Sequence, residues 1–361
     1  MLPKSEPWDV DGLIVYLATR SDYEHIEKMA LPTVNIGSAF DDLSILTVRP
    51  DNYSIGTAAA EHLISGGLAA FGCVSLAGHA GAAARVRGFG DAIGKSASAR
   101  KLVGVLELQG RSPSQEHITQ VEKFLPQLPR PAGLFVFNDR FAQVVLEAAR
   151  RCGVRIPDEL ALVSVDNDDL LCNLSNPQLS SVDSAADHVG FQAAAMLHDM
   201  MLGKKPPKGP VLVPHRGVIT RRSSDMLAID DPIVAKALKY IREESPDRLS
   251  LDHILATADI SRRTLERRFA ESLGHSVYDE IRNRRMQHAK YLLSHTKLPM
   301  TRIGRACGFC HLSHFSNAFA QAVGMRPLKY QQLTRVIPGD NRPIETDIAP
   351  TRTRRSAVRS R

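Results

Sequence analysis

The chain has 361 residues, 43% of them hydrophobic and 24% charged, the proportions of a globular protein with room for two or three domains. No apolar run reaches the roughly 18 residues of a membrane-spanning helix, "MLPKSEPWDVD" has neither the basic nor the apolar region of a secretory signal, and five scattered cysteines argue for a reducing cytoplasm over a disulfide framework. The net charge of +7 is unevenly placed: residues 231–361 carry 24 Lys and Arg against 13 Asp and Glu, residues 1–230 carry 22 against 26, so only the last third is expected to meet a polyanion.

Residues 10–215 alternate short β-rich runs with helical patterns. Strands are predicted at "GLIVYLA" (12–18), "TVNIG" (33–37), "SILTV" (44–48), "AAFGCVSL" (69–76), "LVGVLEL" (102–108), "GLFVFN" (133–138), "LALVSVD" (160–166) and "VLVP" (211–214). Helices are predicted at 52–65, 85–95, 114–125, 139–152 and 186–202. Nearly continuous apolar strands separated by helices predict a parallel sheet covered on both faces. "GKKPPKGP" (203–210) reads as a turn, and 216–220 as a last edge segment before a linker at 221–230. From Asp231 the β pattern vanishes. "DPIVAKALKYIREES" opens with proline at the first helical position, and an all-α domain is expected over 231–335. The remainder, 336–361, lacks periodicity and is rich in Pro, Thr and Arg, the composition of a disordered basic tail.

Within the helical part, "SRRTLERRFAESLG" (261–274) puts four arginines into eight residues. At 100° per residue Leu265, Phe269 and Leu273 form one stripe about 80° wide, with Arg263 and Arg267 opposite and Thr264 and Arg268 beside them. Ser261 suits an N-cap and Gly274 a stop. The pattern returns about 50 residues on. Ile254, Ala258 and Ile260 match Ile303, Cys307 and Phe309, and Leu265, Phe269 and Leu273 match Phe315, Phe319 and Val323. Each unit is a short helix, a tight turn and a second helix, which is a helix-turn-helix whose second helix suits the major groove. Arg263 and Arg267 can pair bidentately with guanine. Arg262 and Arg268, with Arg282, Arg284 and Arg285, suit phosphates. Glu266 suits either cytosine or an ion pair with Arg262. His311, Ser313, His314 and Asn317 offer mixed hydrogen bonding on the second helix, so the first is expected to dominate specificity. A solvated basic face explains one such helix as well, but not two equivalent ones.

"CGFCH" (307–311) spells a haem-attachment motif, and His314 invites a zinc reading. The spacing argues otherwise: Cys307 follows Ile303 by four residues on a buried stripe, and Cys310 falls where the next helix begins. No metal and no cofactor is expected.

The segment from "SLDHILATADISRRTLERRF" through "RNRRMQHAKYLL" and "IGRACGF" to "FSNAFAQAVGMRPLKY" resembles the DNA-binding domain of AraC-type regulators over roughly 100 residues. It departs from that family at "CHLSH", where a polar pair is usual. "VRPDNYSIGTAAAEHLISGGLAAFGCVSLAG", "ARVRGFGDAI", "GLFVFNDRFAQVVLEAARRCGVRIPDELALVSVDNDD" and "NPQLSSVDSAADHVGFQAAAMLHDMMLG" resemble the sugar-binding domain of LacI-type repressors. That resemblance implies a periplasmic-binding-protein-like α/β fold of two Rossmann-like lobes over 1–220, the first at about 12–49 plus 180–205 and the second at about 52–175. It implies a strand–helix–strand–helix unit ahead of "DGLIV", roughly 50–60 residues by the size of two βα units, so the first lobe is expected to be incomplete. Arg85, Asn138 with Asp139, and Asp166 match the positions that hold sugar hydroxyls there; Arg85 capping a helix end and Asp139 as an N-cap are the structural alternatives. This order of domains resembles the xylose-operon group of regulators. It implies an activator gated by a small sugar, a pentose, acting as a homodimer on double-stranded operator DNA and contacting RNA polymerase.

Two other functions compete. One is a DNA-binding protein whose α/β part serves only oligomerisation. The other is an enzyme, against which the α/β part offers neither a phosphate-cradling glycine motif nor a Ser/His/Asp set or catalytic carboxylate pair.

Overall fold

The computed structural model describes residues 9–96, 100–229, 231–258 and 260–335. The tail expected at 336–361 lies outside the described residues. The chain opens with β1 (Leu13–Val15), α1 (Arg20–Lys28), β2 (Thr33–Asn35) and β3 (Leu46–Pro50), whose strands pair in parallel. α2 (Asn52–Ser65) then leads into a second unit of β4 (Ala70–Leu76), α3 (Ala80–Lys95), β5 (Lys101–Leu108), α4 (Gln115–Phe124), β6 (Ala132–Val136), α5 (Asp139–Arg151), β7 (Leu160–Val165), α6 (Asp169–Leu174) and β8 (Ser180–Asp183). α7 (Ala186–Met201) returns to the first sheet. β9 (Val211–Val213) pairs with β3 in parallel, and β10 (Gly217–Ile219) crosses back to pair with β8 in antiparallel fashion. The two sheets therefore run β1-β2-β3-β9 and β10-β8-β7-β6-β4-β5.

Every residue of β6 and β7 is buried, as expected where helices cover both faces. On one face Val136, Leu162 and Leu134 pack on Val121 of α4 and on Phe141 and Val145 of α5. On the other, Phe135 and Val163 pack on Ile55 and Leu63 of α2 and Phe89 of α3. The α2–α3 contact depends on two glycines. A Cβ at Gly56 would overlap the Arg85 carbonyl, and one at Gly88 would overlap that of Tyr53.

Seven helices follow among the described residues: α8 (Pro232–Glu243), α9 (Leu251–Ala258), α10 (Arg262–Leu273), α11 (Val277–His295), α12 (Met300–Ala306), α13 (Leu312–Val323) and α14 (Pro327–Thr334). They form two small cores threaded on one rod. Val277 and Ile281, early in α11, join Leu238, Ile254, Leu265 and Phe269. Met286, Ala289 and Leu293, later in the same helix, join Ile303, Cys307, Phe315, Phe319 and Tyr330.

The structure corrects the sequence expectations at several points. Residues 180–183 form a strand hydrogen-bonded to β7, so the return to the first lobe comes after Asp183 and not at 180. The helix expected from 85 starts at Ala80, because the His79 imidazole, an unusual cap, accepts from the Ala82 amide at 3.1 Å. α1 and α6 were not foreseen. The 221–230 linker is packed and not free: Ser223 Oγ donates to Leu162 O at 2.7 Å and accepts from Ser180 N at 2.8 Å. Farther along, Ala228 N donates to Gly66 O at 2.8 Å.

Candidate DNA interface and effector cleft

α10 and α13 are both twelve residues long and start fifty residues apart. Each stops at a glycine in the left-handed region, Gly274 at φ 71° and Gly324 at φ 78°, a conformation that L side chains adopt at a cost. Ser261 Oγ accepts from Thr264 N and starts α10; His311 occupies the same place in α13 without a side-chain cap. Leu265, Phe269 and Leu273 on one helix, and Phe315 and Phe319 on the other, are wholly buried. Arg263, Arg267, Ser313, His314 and Asn317 are exposed on the opposite sides.

The arginines divide by partner. Arg263 forms no ion pair among the described residues. Arg267 pairs with Glu271 at 2.8 Å, and Arg262 pairs with Glu266 at 2.8 Å while lying over the Tyr278 ring. Both are exposed i,i+4 pairs worth about 0.3–0.5 kcal/mol, which a phosphate or a guanine would readily displace. Glu266 therefore meets Arg262, the alternative left open above, and Thr264 sits half-buried with its hydroxyl 2.8 Å from Ser261 Oγ.

Arg268 is a correction. Its guanidinium reaches Asp231 at 3.0 Å, fastening α10 to the N-cap of α8, so it is a structural tie and not a free cation. Arg284 and Arg285 are corrected likewise: Arg284 donates to Arg242 O at 3.0 Å, and Arg285 donates to Leu249 O at 2.9 Å. Arg282 remains outward, paired with Asp279. One residue was missed. Arg326, the N-cap of α14, donates to Asn317 Oδ1 at 2.8 Å and so orients the amide that the second helix presents. The cysteines behave as their spacing suggested: Cys307 is buried against Phe315, and Cys310 is exposed. Among the described residues no group of three His, Cys, Asp or Glu converges on a metal position.

The second site lies where the carboxyl ends of both sheets meet. Gly56 and Gly88 let α3 lie close on α2, and this places Arg85 beside Asn52. Arg85 Nε donates to Asn52 Oδ1 at 2.8 Å, Nη1 donates to the Phe137 carbonyl at the end of β6, and Nη2 stands 3.8 Å from Asp166 Oδ1. Asn52 Nδ2 donates in turn to Ser38 Oγ at 3.1 Å, which carries the chain of polar contacts into the first lobe. Asp166 has φ 106° and Asn167 φ 54°, a strained pair of non-glycine residues of the kind that collects at ligand sites. The Asp166 side chain stays 46% exposed, open to a ligand beside the Arg85 guanidinium. His79, at the start of α3, is held neutral, its pKa pushed down to about 4 by burial first and by Arg85 second.

Asn138 N-caps α5, accepting from Phe141 N at 2.9 Å, and is half-buried beside the cleft. Asp139 is a second correction. It is 1% exposed, and its carboxylate accepts from the Ser164 hydroxyl, from Ser181 Oγ at 2.6 Å and from Asp168 N at 2.8 Å. It ties β7, β8 and the start of α6 together, and with the Cys172 thiol donating at 3.3 Å its four acceptor sites are taken inside the fold. Asn52, Ser38 and His79 are the cleft residues that the sequence did not single out. Asn52 stood in the quoted "VRPDN", but an asparagine at a helix start reads first as a cap.

The comparisons match the two domains that hold these sites. A periplasmic binding protein-like domain matches residues 60–224, and a helix-turn-helix domain matches 254–333. The xylose operon regulatory protein of Escherichia coli K12 is 28% identical over 343 residues, covering 92% of this chain and 86% of the relative. That of Haemophilus influenzae is 26% identical over 329 residues, covering 89% and 85%. A solved xylose-binding transcription activator superposes with a TM-score of 0.54 at 28% identity, covering 90% of this chain and 87% of that one. With the α/β cleft and the paired helix-turn-helix units, these findings give the conclusion: the chain is a DNA-binding transcription regulator in which a periplasmic binding protein-like domain precedes a double helix-turn-helix domain, similar over nearly its whole length to the xylose operon regulatory proteins.

Proposed function

We propose that the protein is a pentose-gated activator of sugar-catabolic genes, binding operator DNA as a homodimer and recruiting RNA polymerase. The observation that carries the reading is the cap-to-cap equivalence of α10 and α13, each with a buried aromatic stripe and a free polar side. Two such helices on one rod suit successive major grooves about 34 Å apart. Arg263 and Arg267 act as base readers, with Arg262, Thr264 and Glu266 beside them; His311, Ser313, His314 and Asn317 serve the second groove. In the cleft, Arg85, Asp166, Asn138 and Asn52 supply charge-assisted and neutral hydrogen bonds for vicinal hydroxyls. The pentose assignment rests on the names of the relatives.

The coupling runs through the crossovers between the lobes. Arg216 sits between β9 of one lobe and β10 of the other, pairs with Asp187 at 2.8 Å, and donates through Nε to Thr334 O at the end of α14 at 2.7 Å. Tyr330 Oη donates to His215 O at 2.7 Å. Lobe closure turns about this segment, so an effector that favours one lobe arrangement also biases the helix gripping it. The test is operator binding by fluorescence anisotropy with and without xylose. A change in operator affinity of about tenfold is expected, within the usual range of coupling free energies. Sugar-independent operator binding by a chain that still binds xylose would reduce the α/β part to a scaffold, and failure to distinguish operator from random DNA would remove the regulator reading itself.

A further inference from the structure

Apart from the effector cleft, a space of about 1100 Å³ lies between the two domains, walled by α2, β10 and the 221–227 strap on one side and by α8, α11 and α13 on the other. Seven Lys and Arg side chains line it against three carboxylates. Two of these groups are already engaged: Arg282 pairs with Asp279, and Glu280 holds His275 at 3.0 Å. Arg242, Arg284 and Lys290, which all line this space, form no ion pair among the described residues. Arg242 donates to the carbonyls of Ser65 and Met226 at 3.0 and 3.4 Å. Arg284 donates to Arg242 O, and its buried Nε has no partner among the described residues. Lys290 forms no hydrogen bond or ion pair there, and Glu61, the nearest opposing charge, does not reach it. The surroundings register the excess: His62 is held neutral down to about pH 3 by burial first and by Arg242 second, and His215 is depressed by burial and then by Lys290.

Carbonyls neutralise no charge, so cations gathered around donors still free are poised for a compact dianion that takes several donors at once. We propose that this interdomain cavity binds a phosphorylated metabolite, its phosphate held by Lys290, Arg242 and Arg284 and its neutral body lying along Gln178, Gln287 and Gln321. The volume suits a sugar phosphate or a nucleotide. Because the walls belong to both domains, such a ligand stabilises one domain arrangement, a second input independent of the pentose cleft.

The test uses the full chain at fixed ionic strength, with calorimetry and thermal shift against ribose 5-phosphate, inorganic phosphate and ribose. Both anions are expected to bind and stabilise, ribose 5-phosphate more strongly than phosphate. Equal effects would assign the site to free phosphate. Lys290→Gln is expected to weaken the anion at least tenfold, and Glu61→Gln, which removes the competing carboxylate, to tighten it severalfold. The second variant decides the matter if the first does not fold. Arg263→Ala, on the outer side of α10, is expected to leave anion binding unchanged. No stabilisation by either anion would overturn the proposal, as would affinities unmoved in both cavity variants. So would loss of binding in Arg263→Ala, since the anion would then be sitting on the DNA face. A response to ribose alone bears on the pentose cleft and not on this one.

Discussion

At the scale of single residues, the arginines around α10 have fates that their spacing alone does not distinguish. Arg267 and Arg268 are neighbours in sequence, yet one is exposed with a displaceable partner on its own helix and the other closes a contact to Asp231, 37 residues away. Arg267→Ala is therefore expected to lower operator affinity by about 1–3 kcal/mol and to relax preference at one base pair. Arg268→Ala is expected to lower the melting temperature and to weaken operator and random DNA alike. Competition binding against a set of single-base operator variants measures both. A uniform loss across that set for Arg267→Ala would make Arg267 a phosphate contact.

At the scale of elements, the site geometry depends on how closely two helices approach. Arg85 reaches Asn52 and Asp166 only because α3 lies on α2 without intervening Cβ atoms at Gly56 and Gly88. Gly88→Ala is expected to push the helices apart, at a cost of about 1–3 kcal/mol, and to weaken sugar binding while leaving the isolated helix-turn-helix contacts intact. Urea denaturation read alongside operator binding separates the two effects; an unchanged midpoint would mean that α2 and α3 repack without loss. Much of the element pattern was legible beforehand. The helix at 52–65 coincides with its predicted span, and the eight strands expected in the α/β part all form, most of them shorter at their ends. α1 and the start of α3 were hidden because a short polar segment and a histidine cap carry no periodic apolar signal, and α6 because six residues are too few to show a period.

At the scale of the whole molecule, the two domains are joined by more than a tether. The 221–229 strap is packed into both, and the end of the chain's last described helix grips the crossover at His215–Arg216. Tyr330→Phe removes one hydroxyl from that grip, at about 1 kcal/mol, and Arg216→Met removes the link to Thr334 and Asp187. Both variants are expected to bind sugar and operator separately while the sugar-dependent change in operator affinity falls towards unity. A full response in both variants would route the coupling elsewhere, through the Arg242–Ser65 contact.

The sequence by itself determined the strand–helix alternation, the fifty-residue repeat and the separation of basic from acidic parts, because these follow from periodicities and compositions read within a few turns of chain. Tertiary structure alone decided which charges are free. Asp139 looked like a cleft carboxylate until β7 and β8 brought Ser164 and Ser181 to it, and Arg285 looked like a contact to the DNA backbone until the turn after α8 offered its carbonyls. The difference is physical: a side chain's polarity is fixed by its type, but its remaining valence is set by partners that folding brings from far along the chain.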